Sequence, residues 1–167
     1  MPSPLQYAGQ FTFYALLAAF TGYFASHPVY RQVPEGMAQI KLSFAHGGSR
    51  KTECRRLTSE EIAALPPSER RPNTCSRERI AMRVQLAVDG EVLYEEDLQP
   101  TGLWNDGPAR TYRKFLVPAG PHRLDVRLRD SRRDTGFDYE ATRQVTLSPW
   151  QNLAVDFHAD SGGFIFR

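Results

Sequence analysis

From residue 37 onward, apolar side chains recur at every second position. Ile40, Leu42 and Phe44 alternate with Gln39, Lys41 and Ser43. Met82, Val84, Leu86 and Val88 alternate with Arg83, Gln85 and Ala87. A period of two is the pattern of a half-buried strand. Asp89-Gly90 joins the second run to EVLYEEDL. This is the strongest hairpin signal in the chain, because Asp-Gly accepts the positive φ values of a tight β-turn. RTYRKFLV reads as a further strand, and PAGPH turns it into RLDVRLRD, with Leu124, Val126 and Leu128 on one face. SRRDTG is a polar turn. FDYEATRQVTL alternates again and stops at Ser148-Pro149. NLAVDFHA sets Leu153, Val155 and Phe157 on one face, and GGFIFR predicts a short edge strand. About seven or eight short strands with polar turns between them predict a mainly β fold, an antiparallel β-sandwich.

The first 30 residues follow a different pattern. Residues 11–25, FTFYALLAAFTGYFA, carry no charge, and the first charged side chain is Arg31. A helix is predicted over residues 9–26. Its strictly apolar core would be roughly 22 Å long at 1.5 Å per residue. A hydrocarbon core of about 30 Å asks for about 20 residues. Extending the helix to Leu5 supplies the length but adds Gln6 and Gln10. Tyr7, Phe11, Phe13 and Tyr14 near one end, and Phe20, Tyr23, Phe24 and Tyr30 near the other, resemble interfacial belts. The segment therefore reads as a single uncleaved transmembrane helix in contact with the lipid bilayer. A cleaved signal peptide and a buried helix are the competing readings. The first lacks a basic n-region and a clean A-x-A site. Ala15, Ala18, Gly22 and Ser26 give the helix one small face, which predicts close lateral packing on other membrane helices. The organisation expected is an N-terminal segment, 1–30, and a β-domain, 31–167.

Composition changes the picture only when read by segment. The 167 residues suit one domain plus an appendage, and 41% are hydrophobic. A mean hydropathy of −0.48 averages two unlike parts. Lys and Arg total 21 against 19 Asp and Glu, a balance that does not point to nucleic acid. The charge is segregated: residues 50–83 hold nine basic and five acidic side chains, residues 84–167 ten and thirteen.

Cys54 and Cys75 bracket a Pro-, Ser- and Arg-rich loop, 54–75. A bridge closing about 21 residues would stabilise by roughly 3 kcal/mol in the loop-entropy account. Disulfides persist outside the cytosol. This favours a bacterial inner-membrane protein with its C-terminal domain in the periplasm, although Arg31 and Lys41 after the helix lean weakly the other way. Within the loop, Thr58-Ser59-Glu60-Glu61 is a capping box ahead of a short helix that Pro66-Pro67 ends.

The stretch FLVPAGPHRLDVRLRD with VTLSPWQNLAVDF, within Phe115 to Phe157, resembles the PEGA-type and related immunoglobulin-like modules of bacterial surface proteins. That resemblance implies an immunoglobulin-like sandwich. SHPVY, IKLSFAHGG, the two-cysteine loop, LVPAG and the GGFIFR ending make the whole chain similar to single-pass proteobacterial proteins associated with terminal haem-copper oxidases. That resemblance implies an accessory place beside a respiratory complex and carries over no functional residue.

Candidate chemistry is sparse. His27, His46, His122 and His158 fall in different contexts, and His122 in the PAGPH turn reads as a surface residue. The cysteines have no C-x-x-C spacing, so neither a metal nor a cofactor is expected. Glu95, Glu96 and Asp97 read as a solvated strand end rather than an acid–base pair. Trp104 and Trp150 sit near turns and are candidate interface anchors. No nucleophile–base spacing supports an enzyme. The reading is a non-catalytic accessory, assembly or stabilising subunit that contacts an integral membrane protein complex through its helix. The alternative is a membrane-anchored periplasmic ligand-binding or sensor module.

Overall fold

The computed structural model describes residues 3–27 and 32–167, so Tyr30 and Arg31 lie outside the described residues. The chain divides into two compact units, Met1–Pro34 and Glu35–Arg167.

The first unit holds helix α1, Pro4–Ser26. It starts five residues earlier than predicted. Ser3 caps it, Pro4 opens the first turn, and the Gln6 side chain returns a bond to the Ser3 amide at 2.7 Å. Its 23 residues span about 34 Å at 1.5 Å per residue. Length suffices for a membrane, but composition does not. No helix among the described residues is long and apolar enough to cross a membrane. The expected transmembrane span is corrected on this point. Gln6, Gln10, Thr12, Thr21, Gly9, Gly22 and the tyrosines dilute the apolar run.

The second unit is a β-sandwich-like domain. One sheet has β1 (Met37–His46), β6 (Ala109–Pro118), β9 (Asn152–His158) and β10 (Gly163–Phe166), in the order β10-β9-β1-β6. The other has β4 (Met82–Val88), β5 (Glu91–Leu98), β7 (Gly120–Arg129) and β8 (Tyr139–Leu147), in the order β5-β4-β7-β8. Two short strands in the cysteine loop, β2 (Arg55–Arg56) and β3 (Asn73–Thr74), pair with each other alone. The predicted alternation is what fills the core. Ile40, Leu42, Met82, Val84, Leu86, Leu124, Val126, Leu128 and Val155 are fully buried between the sheets. Each large apolar side chain so buried contributes about 1.5–3 kcal/mol.

The β4–β5 hairpin turns on Asp89 (φ 54°) and Gly90 (φ 89°), as the Asp-Gly pair requires. Two features differ from the expectation. The sandwich is not wholly antiparallel, because β1 pairs parallel with β9, Ile40 facing Leu153. A first and a late strand of the domain become neighbours, and the long connection between them includes all four strands of the opposite sheet. PAGPH also makes no hairpin within a sheet. Ala119 alone separates β6 from β7, and the chain changes sheet there.

Candidate interaction surfaces

Every residue of α1 is exposed within its unit, and apolar side chains point out on all sides. Ala15, Ala18, Gly22 and Ser26 fall on one face by their three- and four-residue spacing. A Cβ added at Gly22 would meet nothing within 4 Å. The helix hides part of its polarity. The Thr12 hydroxyl donates to the Ala8 carbonyl at 2.9 Å, and Thr21 donates to Leu17 at 2.7 Å. A helix that is apolar all round is stable only where something else buries it.

Cys54 and Cys75 are bonded, as the loop predicted. Between them the capping box forms α2, Ser59–Ala64: Thr58 Oγ1 accepts from the Glu61 amide, and Glu61 accepts from the Thr58 amide at 2.8 Å. Arg55 grips the same carboxylate at 2.9 and 3.1 Å. These bonds, the arginine's first, hold the Glu61 carboxyl at about 2. Lys51–Glu78 at 2.8 Å and the Arg132–Glu53 pair hold the loop's stem. Arg56 and Arg71 have no ion-pair partner among the described residues.

Trp104 and Trp150 are not brought together. Trp104 lies in the β5–β6 loop, beside the end of β1, whereas Trp150 donates its amide to Met37 at the start of β1. Trp104 is 71% exposed and its neighbour Leu103 89%. The loop beneath them is pinned. Thr101 donates to the Pro108 carbonyl at 2.7 Å, and the Arg79 guanidinium donates to Asp106 and Gly48 carbonyls at 3.1 and 2.7 Å. Gly107 passes so close that a Cβ would stand 2.5 Å from Thr101 Oγ1. An open cleft of about 540 Å³ beside Trp104 is lined by Arg77, Glu78, Leu103 and Asn105.

The histidines do not converge. His46 bonds Asp130 at 2.7 Å and His158 bonds Asp156 at 3.0 Å, each at its own site. Among the described residues, no three His, Cys, Asp or Glu side chains group to hold a metal ion. Sequence reasoning missed His122. Its side chain is only 10% exposed. Nδ1 stands 2.6 Å from Asp89 Oδ2, and Nε2 stands 2.8 Å from the Pro118 carbonyl. Two acceptors need two donors, which only the imidazolium provides. The Asp89 bond raises the His122 pKa, against burial. The Arg123 amide, then His122, lowers that of Asp89. The ring thus ties the β4–β5 turn of one sheet to the end of β6 in the other. The available signal was limited to an Asp-Gly turn and a histidine just after a Pro-Ala-Gly link.

Glu95 and Asp97, read as part of a solvated strand end, belong to a lattice across the outer face of the second sheet. Arg83 bonds Glu95 at 2.9 Å and Asp97 at 3.2 Å. Gln85 bridges Glu95 to Arg127 at 3.1 and 3.4 Å, and Arg127 reaches Glu140 at 3.2 Å. Arg123 and Thr142 close on Asp125. Glu96 turns instead to Tyr94 at 2.6 Å and Arg113 at 3.1 Å, bridging β5 to β6. Polar groups across this face already satisfy one another.

The chain matches no protein-family model, no curated protein and no solved structure.

Proposed function

We propose that this chain is a non-catalytic accessory subunit that helps assemble or stabilise an integral membrane complex of bacteria. Helix α1 carries the reading. It is uncharged, exposed and apolar on every side, so water is a poor surrounding for it. It is also too polar to cross a membrane on its own. Packing among the helices of a partner meets both conditions. The face of Ala15, Ala18, Gly22 and Ser26 permits the close backbone approach that such packing needs. The disulfide supports a domain on the periplasmic side of the inner membrane. Two four-stranded sheets with a sheet-changing link support reading that domain as an immunoglobulin-like module. The resemblance to oxidase-associated proteins makes a terminal haem-copper oxidase the first complex to test.

The test is purification of the native assembly in mild detergent through a tagged full chain. Integral membrane subunits are expected to co-purify with the wild type and to be lost with Gly22→Leu, which fills the small face and leaves every residue of the β-domain unchanged. A wild-type chain that runs as a free monomer would overturn the reading.

A further inference from the structure

The two outer faces of the sandwich differ in how their charges are answered. The second sheet neutralises itself through the lattice described above. The first sheet does not. The register places Lys41 directly opposite Lys114 across β1 and β6. Ala154 on β9 faces Lys41 on the other side. Arg167, which continues β10, exchanges both backbone bonds with Ala154 at 2.8 and 2.9 Å. One row across the sheet therefore reads Arg167, Ala154, Lys41, Lys114. Two residues along β6 from Lys114 is Tyr112, 56% exposed, with the Lys114 ammonium 5.6 Å from its ring centre. Two further on is Arg110, opposite Ala45. Lys41, Lys114, Arg110 and Arg167 form no ion pair among the described residues. The one acid of these strands' outward rows, Asp156, is already occupied by His158 at 3.0 Å and the Phe157 amide at 2.8 Å.

Like charges directly opposite in a sheet are destabilising. Here two of the chain's three lysines are so placed. Beside Lys41 the central strands present the small side chains of Ser43, Ala45 and Ala154, leaving a trough. Its floor and wall form an open cleft of about 520 Å³ lined by Ser43, Ala45, Arg110, Tyr112 and Asp156.

We infer that the outer face of the first sheet docks an acidic segment of a partner protein, whose carboxylates lie between Lys41 and Lys114 with Tyr112 and Arg110 alongside. Charge complementarity selects the occupant. Small residues along the trough admit a polypeptide, and four cations are few for the many phosphates that hold a nucleic acid. Beside Tyr112, the outward rows of these strands expose one large apolar side chain, Leu116 at 46%, which is little area to seat a surface in lipid. This contact deepens the accessory-subunit reading by giving the β-domain its own hold on a partner. It fails independently of the helix.

The probe is a fluorescein-labelled peptide of alternating Glu and Ala, titrated into the full chain in mild detergent and followed by anisotropy. Lys41→Gln with Lys114→Gln is expected to weaken binding at least about tenfold. Arg56→Gln with Arg71→Gln removes equal charge from the cysteine loop and is expected to change it less than about threefold. Lys41→Glu with Lys114→Glu should instead bind a Lys/Ala peptide, which shows that the doubly changed face still folds. Absence of peptide binding overturns the proposal. So does equal weakening by the loop variant. Binding of phosphatidylglycerol vesicles or oligouridylate that depends on the two lysines, without binding of the acidic peptide, also overturns it. Loss of the native complex through Gly22→Leu bears only on the helix.

Discussion

Reducing the Cys54–Cys75 bridge is expected to open the cysteine loop while leaving the sandwich folded. No residue between 55 and 74 is buried, and the segment holds only two-residue strands and the short helix α2. The loop is joined to the sandwich through its stem. There the Ser49 amide donates to Asp130 at 2.8 Å and the Ile80 amide donates to Ser49 at 3.0 Å, both outside the bridge. With a separation of 21 residues, the bridge is worth about 3 kcal/mol against an open loop. That stabilisation belongs to local closure, so reduction should raise the open population about a hundredfold. Trypsin reads this directly at Arg55, Arg56 and Arg70. Cleavage should quicken by about that factor while cutting remains slower than reclosing. The midpoint of thermal unfolding of the β-domain should move by less than about 2 °C. A loss of 3 kcal/mol spread over the whole domain would lower it by roughly 10 °C instead. Equal cleavage of bridged and reduced chains, or a fall of the larger size, would refute the separation of loop from core.

Three further outcomes follow from the packing and the charges. Leu86→Ala removes a fully buried side chain between the sheets and is expected to cost about 2–5 kcal/mol in denaturant unfolding. Lys114→Glu replaces a like-charged cross-strand pair by an opposite one, so the thermal midpoint should rise at low salt and the gain should shrink in about 0.5 M salt. The His122 clamp sets a pH window. A raised histidine pKa stabilises fully below its ordinary 6.5 and is lost as pH rises through the raised value. A lowered Asp89 pKa stabilises above its ordinary 3.8 and is lost as pH falls through the lowered value. Clamp stability is therefore greatest between those ordinary values. Wild-type thermal stability is expected to decline above about pH 6.5, His122→Gln should flatten that decline, and an unchanged slope would remove the clamp.

Local features were legible in the chain because their causes are local. The alternation of β1, β4, β7 and β9, the Asp89-Gly90 turn and the Thr58–Glu61 cap each rest on a few neighbouring residues. The early start of α1 was legible too. Ser3-Pro4-Leu5-Gln6 is a capping box with proline at the first turn, overlooked because the apolar run begins later. What alternation does not encode is which sheet a strand joins. PAGPH has the residues of a hairpin turn, yet Ala119 hands the chain across the sandwich. The parallel β1–β9 pair and the Lys41–Lys114 juxtaposition depend on register between segments far apart in sequence. His122 was read as a surface residue for the same reason, since its partners come from two other elements.

The charge pattern sorts the faces of the sandwich in a way that total charge conceals. A face meant for water gains little from exposed ion pairs, each worth at most about 1 kcal/mol, but loses nothing by having them. The second sheet is such a face, with arginines placed between carboxylates on both sides. On the first sheet, the row of Lys41 and Lys114 has two ammonium groups where one acid would relieve both. Arginine outnumbers lysine 18 to 3 in the chain. Arginine's planar fork suits the fixed bidentate pairs of the lattice, whereas a lysine offers a mobile point charge. Side chains of the second kind, unpaired and side by side over a trough of alanine and serine, fit an anionic partner that arrives from outside. A fold under pressure for stability alone would have placed a carboxylate at one of the two positions.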